Sequence, residues 1–493
     1  MTPAAGTTPE TGRSMHATQA PRIIPRAEHT VSRSQLSPNA LRVLYRLKDA
    51  GYQAFLVGGC VRDLLIGRTP KDFDVATNAL PEEVRQLFRN CRLVGRRFRL
   101  AHVVFGREVI EVATFRASSA PPPGAEPLAE EGEDGEDADA GEVDSGIEVD
   151  DADIPSQDHT IHRVQNERGR ILRDNVYGTV DEDVWRRDFT ANALYYNIAD
   201  FSIWDYTDGA ADVTARRLRL IGDPETRYRE DPVRMLRAAR FEAKLGFDLA
   251  PETAEPIARL RHLMADIPAA RLFDETLKLF LTGHGEQSFA VLKARGLMEA
   301  LMPSVGRYLL RYPGGAVERL LAQGLRNTDE RVLLEKPVTP SFLFALLLYG
   351  PIALAIEALP PQRWHESAAI LDACDRVLRE AQQRVALPKR FALGLRDMFA
   401  LQPRLEQPRG RRALRLLEQP RFRAAYDLLL LRAGVGLAST EVAAWWTRLQ
   451  EASPEEQGRL CEHLPAAADG GAADGQPAGA AAPARRRRRR RRS

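Results

Sequence analysis

Two aspartates one residue apart, Asp72 and Asp74, open the apolar stretch Phe73-Asp74-Val75-Ala76. Side chains alternate along a strand, so both carboxylates point to one face while Phe73 points into the core. Two such acids repel each other, and hard divalent cations that prefer oxygen ligands relieve the repulsion. Mg²⁺ bridging them to a nucleotide's phosphates is the economical reading, although an isolated D-x-D is also common on solvated surfaces. What narrows the choice is the segment just before it. Residues 54–57 read as a short buried strand and residues 60–66 as a helix opening after Gly58-Gly59. The glycines let backbone N–H groups approach a ligand, and the helix start favours an anion such as a triphosphate.

Three further clusters carry chemistry. Glu111 lies in the apolar centre of the strand pattern Glu108-Val-Ile-Glu-Val-Ala-Thr-Phe-Arg116, where a carboxylate is costly unless paired. A structural salt bridge satisfies that cost as well as a functional partner does. Arg186-Arg187-Asp188-Phe189-Thr190-Ala191-Asn192 combines arginines that fork to phosphate oxygens with polar groups suited to ribose hydroxyls. Asp188 is equally placed to cap a helix over residues 189–196. Glu230-Asp231-Pro232-Val233-Arg234 reads as a helix start, with Pro232 in the first turn and Asp231 as its cap. Asp231, Arg234, Arg237 and Arg240 recur every three residues as one polar stripe. Asp and Arg together offer an acceptor and a donor to the edge of a purine, whereas Arg237, Arg240, Arg271 and Glu275 also suit structural ion pairs. Asp205-Tyr-Thr-Asp-Gly209 reads as either a plain turn or a moving hinge.

Gly58-Gly59-x-Val61-Arg62-Asp63 followed by Lys71-Asp72-Phe73-Asp74 resembles the signature of class II nucleotidyltransferases, which comprise bacterial poly(A) polymerases and CCA-adding tRNA nucleotidyltransferases. The resemblance extends over roughly residues 23–462. It implies an α+β fold: a polymerase-β-like head of mixed sheet and helices, then all-α neck and body domains with disordered termini. It also implies two-metal phosphoryl transfer, with Mg²⁺ on Asp72 and Asp74, Glu111 as a third carboxylate, and ATP as substrate. By the same resemblance Gly58, Gly59, Arg62 and Asp63 bind the nucleotide. Arg186 and Arg187 anchor its triphosphate or a helix, and Asp188 and Asn192 take the ribose. Asp231 and Arg234 select the base, with Arg237 beside them.

The remaining sequence fits a reduced, cytoplasmic protein. Four cysteines are far apart without C-x-x-C, and nine histidines form no H-x-x-x-H, which argues against zinc sites, disulfide frameworks and histidine-based metal hydrolases. No apolar run reaches the ~20 residues of a membrane helix, residues 342–349 read as a buried helix, and the start of the chain is unlike a signal peptide. The net charge of +2 hides an asymmetry: 14 acids and no base between 126 and 153, against eight consecutive arginines at 485–492. The remainder is basic, as suits a polyanion partner.

The expected organisation is a disordered extension (1–33), a head (34–200) interrupted by an acidic disordered insertion (118–158), a neck (201–300), a body (301–465) and a disordered arginine-rich tail (466–493). Within the head, helices are expected at 38–51 and 81–89 and strands near 91–94, 101–105 and 109–115. Choosing between the two branches of the family rests on basic segments with interleaved aromatics. Leu93-Val-Gly-Arg96-Arg97-Phe98-Arg99 resembles the poly(A) polymerase branch, and Lys389, Arg390, Arg411 and Arg412 add sequence-blind attraction for RNA 3′ ends. The expected activity is addition of AMP from ATP, promoting RNA decay and involving RNA-decay factors, with a monomer as the default. CCA addition to tRNA is the alternative. A catalytically inactive RNA-binding homologue is a second alternative, against which the intact acids weigh.

Overall fold

A computed structural model describes residues 20–95, 99–117, 164–165, 171–173 and 177–465. Residues 1–19 of the extension, Arg96, Arg97, the acidic insertion at 118–158 and the tail at 466–493 lie outside the described residues. The chain divides into two compact units, 1–307 with 325–338 and 380–387, and 308–324 with 339–379 and 388–493. Head and neck residues fall in the first unit.

The first unit is built on an eight-stranded sheet among the described residues. Its strands are β1 (Arg22–Ile24), β2 (Ala54–Val57), β3 (Asp74–Thr77), β4 (Cys91–Val94), β5 (Leu100–Phe105), β6 (Glu108–Thr114), β9 (Leu194–Asn197) and β10 (Ile203–Asp205). They lie in the order β1-β10-β9-β2-β3-β6-β5-β4, and β7 (Val164–Gln165) and β8 (Ile171–Arg173) form a separate ribbon. β2 pairs antiparallel with β3 and β9, whereas β3 and β6 are parallel. All four β2 residues are buried, as a central strand covered on both faces requires.

One face is covered by α1 (Pro38–Asp49), α2 (Gly59–Leu65) and α3 (Pro81–Leu87). Here Val43, Leu44, Leu47, Val61 and Val84 join Leu56, Val75 and Val112 in the core. Ser37 starts α1 by accepting N–H bonds from Asn39 and Ala40, and Pro38 fits the first turn. The opposite face gathers Phe55, Val57, Ala76, Phe115 and Tyr195. α4 (Val180–Arg186) precedes β9, and after β10 come α5 (Gly209–Thr214), α6 (Pro224–Glu230) and α7 (Val233–Leu245), beyond which the chain is almost wholly helical.

Two expectations are corrected. Residues 20–33 are not disordered: β1 adds an edge strand to β10, and Ile24 and Val31 are buried. Residues 189–196 are not a helix. A 3₁₀ turn (Thr190–Asn192) leads into β9, because Leu194, Tyr195 and Tyr196 fill the gap between β2 and β10, and strand pairing overrides the local helical reading. Asp188 therefore caps no α-helix.

The second unit is helical and buries Trp445, Trp446, Phe344 and Leu346. Among the described residues no single helix is long and apolar enough to cross a membrane. The apolar pair Pro340–Leu347 and Tyr349–Glu357 is bent by 55° and largely buried, as a core helix should be.

Candidate active site

Strand register aligns a row of side chains on one face of the sheet. Tyr195 of β9 faces Val57 of β2, which faces Asp74 of β3, then Glu111 of β6 and His102 of β5. Directly paired residues share a face, so Asp74 and Glu111 stand side by side. Glu111 is not sunk in apolar surroundings: alternation turns it to the open face, 44 % exposed, with His102 Nε2 at 3.6 Å from its carboxylate. Asp74 also reaches solvent, yet the protein packed around it, then the charges of Glu111 and Asp72, raise its pKa to about 6 against a lowering by Arg187. Asp72 is exposed just before the strand. Among the described residues no group of three or more His, Cys, Asp or Glu side chains is arranged to hold a metal ion.

Beside this row lies the glycine turn. Gly58 has φ +76°, which only glycine adopts without strain, and a Cβ there would meet Arg187 at 3.7 Å. Arg187 is held by Asp183 (3.0 Å) and by the Tyr195 hydroxyl (2.7 Å). Burial lowers its pKa, but Tyr195 and Asp183 together hold the guanidinium above its ordinary value, so it stays charged. Behind Gly59 the buried Arg62 donates to Asp63 (2.8 Å) and to Asn192 Oδ1 (2.5 Å). The Asn192 amide donates to Asp188 Oδ1 (3.4 Å), which also accepts the Phe189 N–H. Asp188 Oδ2 accepts Arg237 Nε and Nη2 at 2.8 and 2.5 Å. Burial pushes the Asp188 carboxyl up, but Arg237 outweighs it and leaves the pKa at about 2. Arg62, Asn192, Asp188 and Arg237 thus form one relay from the glycine turn to α7. The Phe241 ring sits among Arg62, Arg237 and Arg240, with guanidinium carbons 5.9, 5.5 and 4.7 Å from its centre.

Helix α7 starts at Val233, with Pro232 in the cap position expected for Asp231. Asp231 still accepts the Val233 N–H (3.4 Å) and pairs with Arg271 (2.7 Å). Arg234 is buried and turned back onto Glu230 (3.1 Å) and the Arg227 carbonyl (2.7 Å). Arg227 reaches the carbonyls of Arg186 (3.1 Å) and Arg187 (2.6 Å), tying α6 to the end of α4. Arg240 lies 3.8 Å from Glu275. The Asp205–Gly209 segment is a tight turn: Asp205 accepts N–H bonds from Thr207, Gly209 and Ala210, and a Cβ on Gly209 would meet the Thr190 carbonyl at 2.2 Å.

The site residues therefore form three adjoining groups in the first unit: the acid row with Arg187, the relay behind the glycine turn, and the Asp231–Arg234 pair. The basic residues expected to meet RNA are elsewhere. Arg99 pairs with Glu82 (2.7 Å). Lys389 and Arg390 open the helix Lys389–Glu406, with Arg390 over Phe391, and Arg411 precedes the helix Arg412–Leu417 in the second unit. The sequence reading missed His102, Arg227 and Phe241 as members of these groups. Strand register was the signal for His102; the other two depend on tertiary packing.

Comparison with known proteins finds the following likenesses. The Poly A polymerase head domain family matches residues 54–219. A family described as "Probable RNA and SrmB- binding site of polymerase A" matches 246–309, and one described as "Polymerase A arginine-rich C-terminus" matches 362–493. Poly(A) polymerase I of Salmonella typhi is 47 % identical over 90 % of this chain and 88 % of its own length. Poly(A) polymerase I of Haemophilus influenzae is 42 % identical over 89 % and 90 %. The CCA-adding enzyme of Lactobacillus gasseri is 33 % identical over 53 % and 54 %. In fold, the chain is similar to a CCA-adding enzyme apo form II, with TM-score 0.52 and 17 % identity over 88 % of this chain and 89 % of the other. The extent and identity of the match to the polymerases, together with the acid row beside a glycine turn, place this chain in the poly(A) polymerase family.

Proposed function

We propose that this chain is a template-independent poly(A) polymerase that adds AMP from ATP to RNA 3′ ends. The observation that carries the mechanism is the register pairing of Asp74 with Glu111: two like charges side by side, with Asp72 close enough to add to the repulsion. Repulsion of this kind, offset only in part by Arg187 and His102, fits a divalent cation. Mg²⁺ takes one or two carboxylates plus substrate phosphates, so it needs no cage of three protein ligands. Asp72 and Asp74 would hold it, and the chemistry it supplies there is activation of the RNA 3′-hydroxyl and neutralisation of the departing pyrophosphate.

The chain's own groups do the rest. Glu111, steadied by His102, receives the hydroxyl proton as the 3′-oxygen bonds to the α-phosphorus and the α–β phosphoanhydride bond breaks. Gly58 and Gly59 offer N–H groups to the triphosphate, and Arg187 holds a fixed positive charge beside them. Arg62 and Asp63 brace that turn. Asp188, Asn192 and Arg237 position the ribose, and Arg186 anchors the end of α4. Asp231 and Arg234 read the adenine edge by exchanging their present bonds with Arg271 and Glu230 for the base. The head does the chemistry, the neck selects the base, and Arg96, Arg97, Arg99, Lys389, Arg390, Arg411 and Arg412 attract RNA. Tails of this kind give 3′-exonucleases a single-stranded start, which connects the activity to RNA decay.

Primer extension of a generic RNA with each nucleoside triphosphate separately tests the reading. A long ladder with ATP alone, abolished by chelating divalent cations, is the expected result. One to three additions that require CTP and a tRNA-like end would move the chain to the CCA-adding branch.

A further inference from the structure

The second unit contains a cavity of about 290 Å³ between the end of the helix Lys389–Glu406 and the short helix Arg412–Leu417. Arg404, Arg409, Arg412 and His365 line it, over an apolar floor that includes Ala413 and Leu416. Among the described residues, none of the three arginines has an acid at ion-pair distance. Arg411, Arg415 and Arg421 close by likewise have no acid at ion-pair distance among the described residues, whereas elsewhere in the unit Arg396 pairs with Asp375 at 2.8 Å and Arg423 with Asp427 at 3.1 Å. Glu406, next to Gln407 on the cavity wall, is bound by Arg432. Helix dipoles do not account for the cluster. Arg404 in a last turn gains from them, but Arg412 opens its helix, where a cation gains nothing.

We propose that this cavity is a nucleotide-sized RNA subsite, in which Arg404, Arg409 and Arg412 fork the phosphates and the apolar floor lies under one base. The proposal rests on the reading of the chain as an enzyme that extends RNA, and it names where RNA away from the reacting 3′ end is held. The volume is close to the ~300 Å³ lower bound of ordinary ligand sites, enough for one nucleotide but not for a folded RNA element. Guanidinium groups fork to phosphate, and apolar or π surfaces accept any base, so the subsite is blind to sequence. It lies outside residues 246–309, the segment matched by the RNA-binding family. The consequence is a step in affinity with RNA length, since only an RNA long enough to occupy this cavity as well as the acid row gains both sets of contacts.

The test is fluorescence anisotropy with labelled oligoadenylates of increasing length, on the full chain and on R404Q/R409Q. The double variant should bind the short oligonucleotides normally and lose the affinity step of the long ones. Its plot of log affinity against log salt should be shallower by about 1.4, at about 0.7 per single-strand phosphate contact. An unchanged melting temperature shows that the variant folds. Wild-type affinity and salt slope on the longest RNA would overturn the subsite. If wild-type protein binds RNA but incorporates no AMP, the enzymatic reading fails while the binding result stands on its own.

Discussion

The acid row and the relay behind the glycine turn lie in one unit and treat charge in opposite ways. Burial first, and then its like-charged neighbours Glu111 and Asp72, push the Asp74 carboxyl up to about 6 against a lowering by Arg187. Asp188 has Arg237, Asn192 and a backbone N–H, and its carboxyl is held at about 2. The first arrangement costs stability until a cation arrives; the second stabilises the fold as it stands. Unpaired like charges on an exposed face mark the place where a ligand completes the structure. Saturated charges mark the frame that holds it.

The largest expected effect comes from breaking the frame. Asp188→Ala leaves Arg237 without its partner and should cost ~3–5 kcal/mol, read by urea unfolding of the full chain. Breaking the row should instead cost activity: Asp74→Asn should lower AMP incorporation by ~10²–10³-fold while RNA binding persists. Gly58→Ala forces a side chain into a positive-φ backbone, φ +76°, beside Arg187, and should cost ~1–3 kcal/mol with a raised KM for ATP.

The smallest effect sharpens the comparison through pH. Between about 4 and about 6 the folded state holds a proton on Asp74 that the unfolded chain has released, so this group's contribution to stability rises as pH falls through that window. Activity should fall over the same range. Asp188 behaves in the opposite sense: its contribution is full above about 4 and is lost only as pH falls toward 2. Stability against unfolding and incorporation, measured from pH 5 to 8, should therefore move in opposite directions, driven by Asp74 alone of the two.

Much of this was readable where local pattern and tertiary demand agree. The strand Ala54–Val57, the capped start at Pro38 and the strand Cys91–Val94 all follow from apolar runs and turn residues. The strand that begins at Asp74 was legible for the same reason, whereas Asp72 precedes it, where strand alternation does not apply. Glu111 was found, but its setting was misjudged: an acid amid Val and Ile reads as buried, whereas alternation sends it to the open face. The segment after Asp188 failed because Thr-Ala-Asn-Ala looks helical, and its fate is decided by strands far away in sequence. The bonds of Arg62 to Asn192 and of Asp188 to Arg237 were not legible in the sequence. No sequence spacing reveals that Arg237 lies 49 residues from its acid and in contact with it.

The central claim is that the acid row is held under repulsion for the sake of a ligand. Thermal unfolding and AMP incorporation of Asp74→Asn beside the parent chain at pH 7.5, without divalent cations for the melt and with Mg²⁺ for the assay, test it most directly. A higher melting temperature together with loss of incorporation is expected. A variant that melts lower than its parent, or that still incorporates AMP at the parent rate, would contradict it.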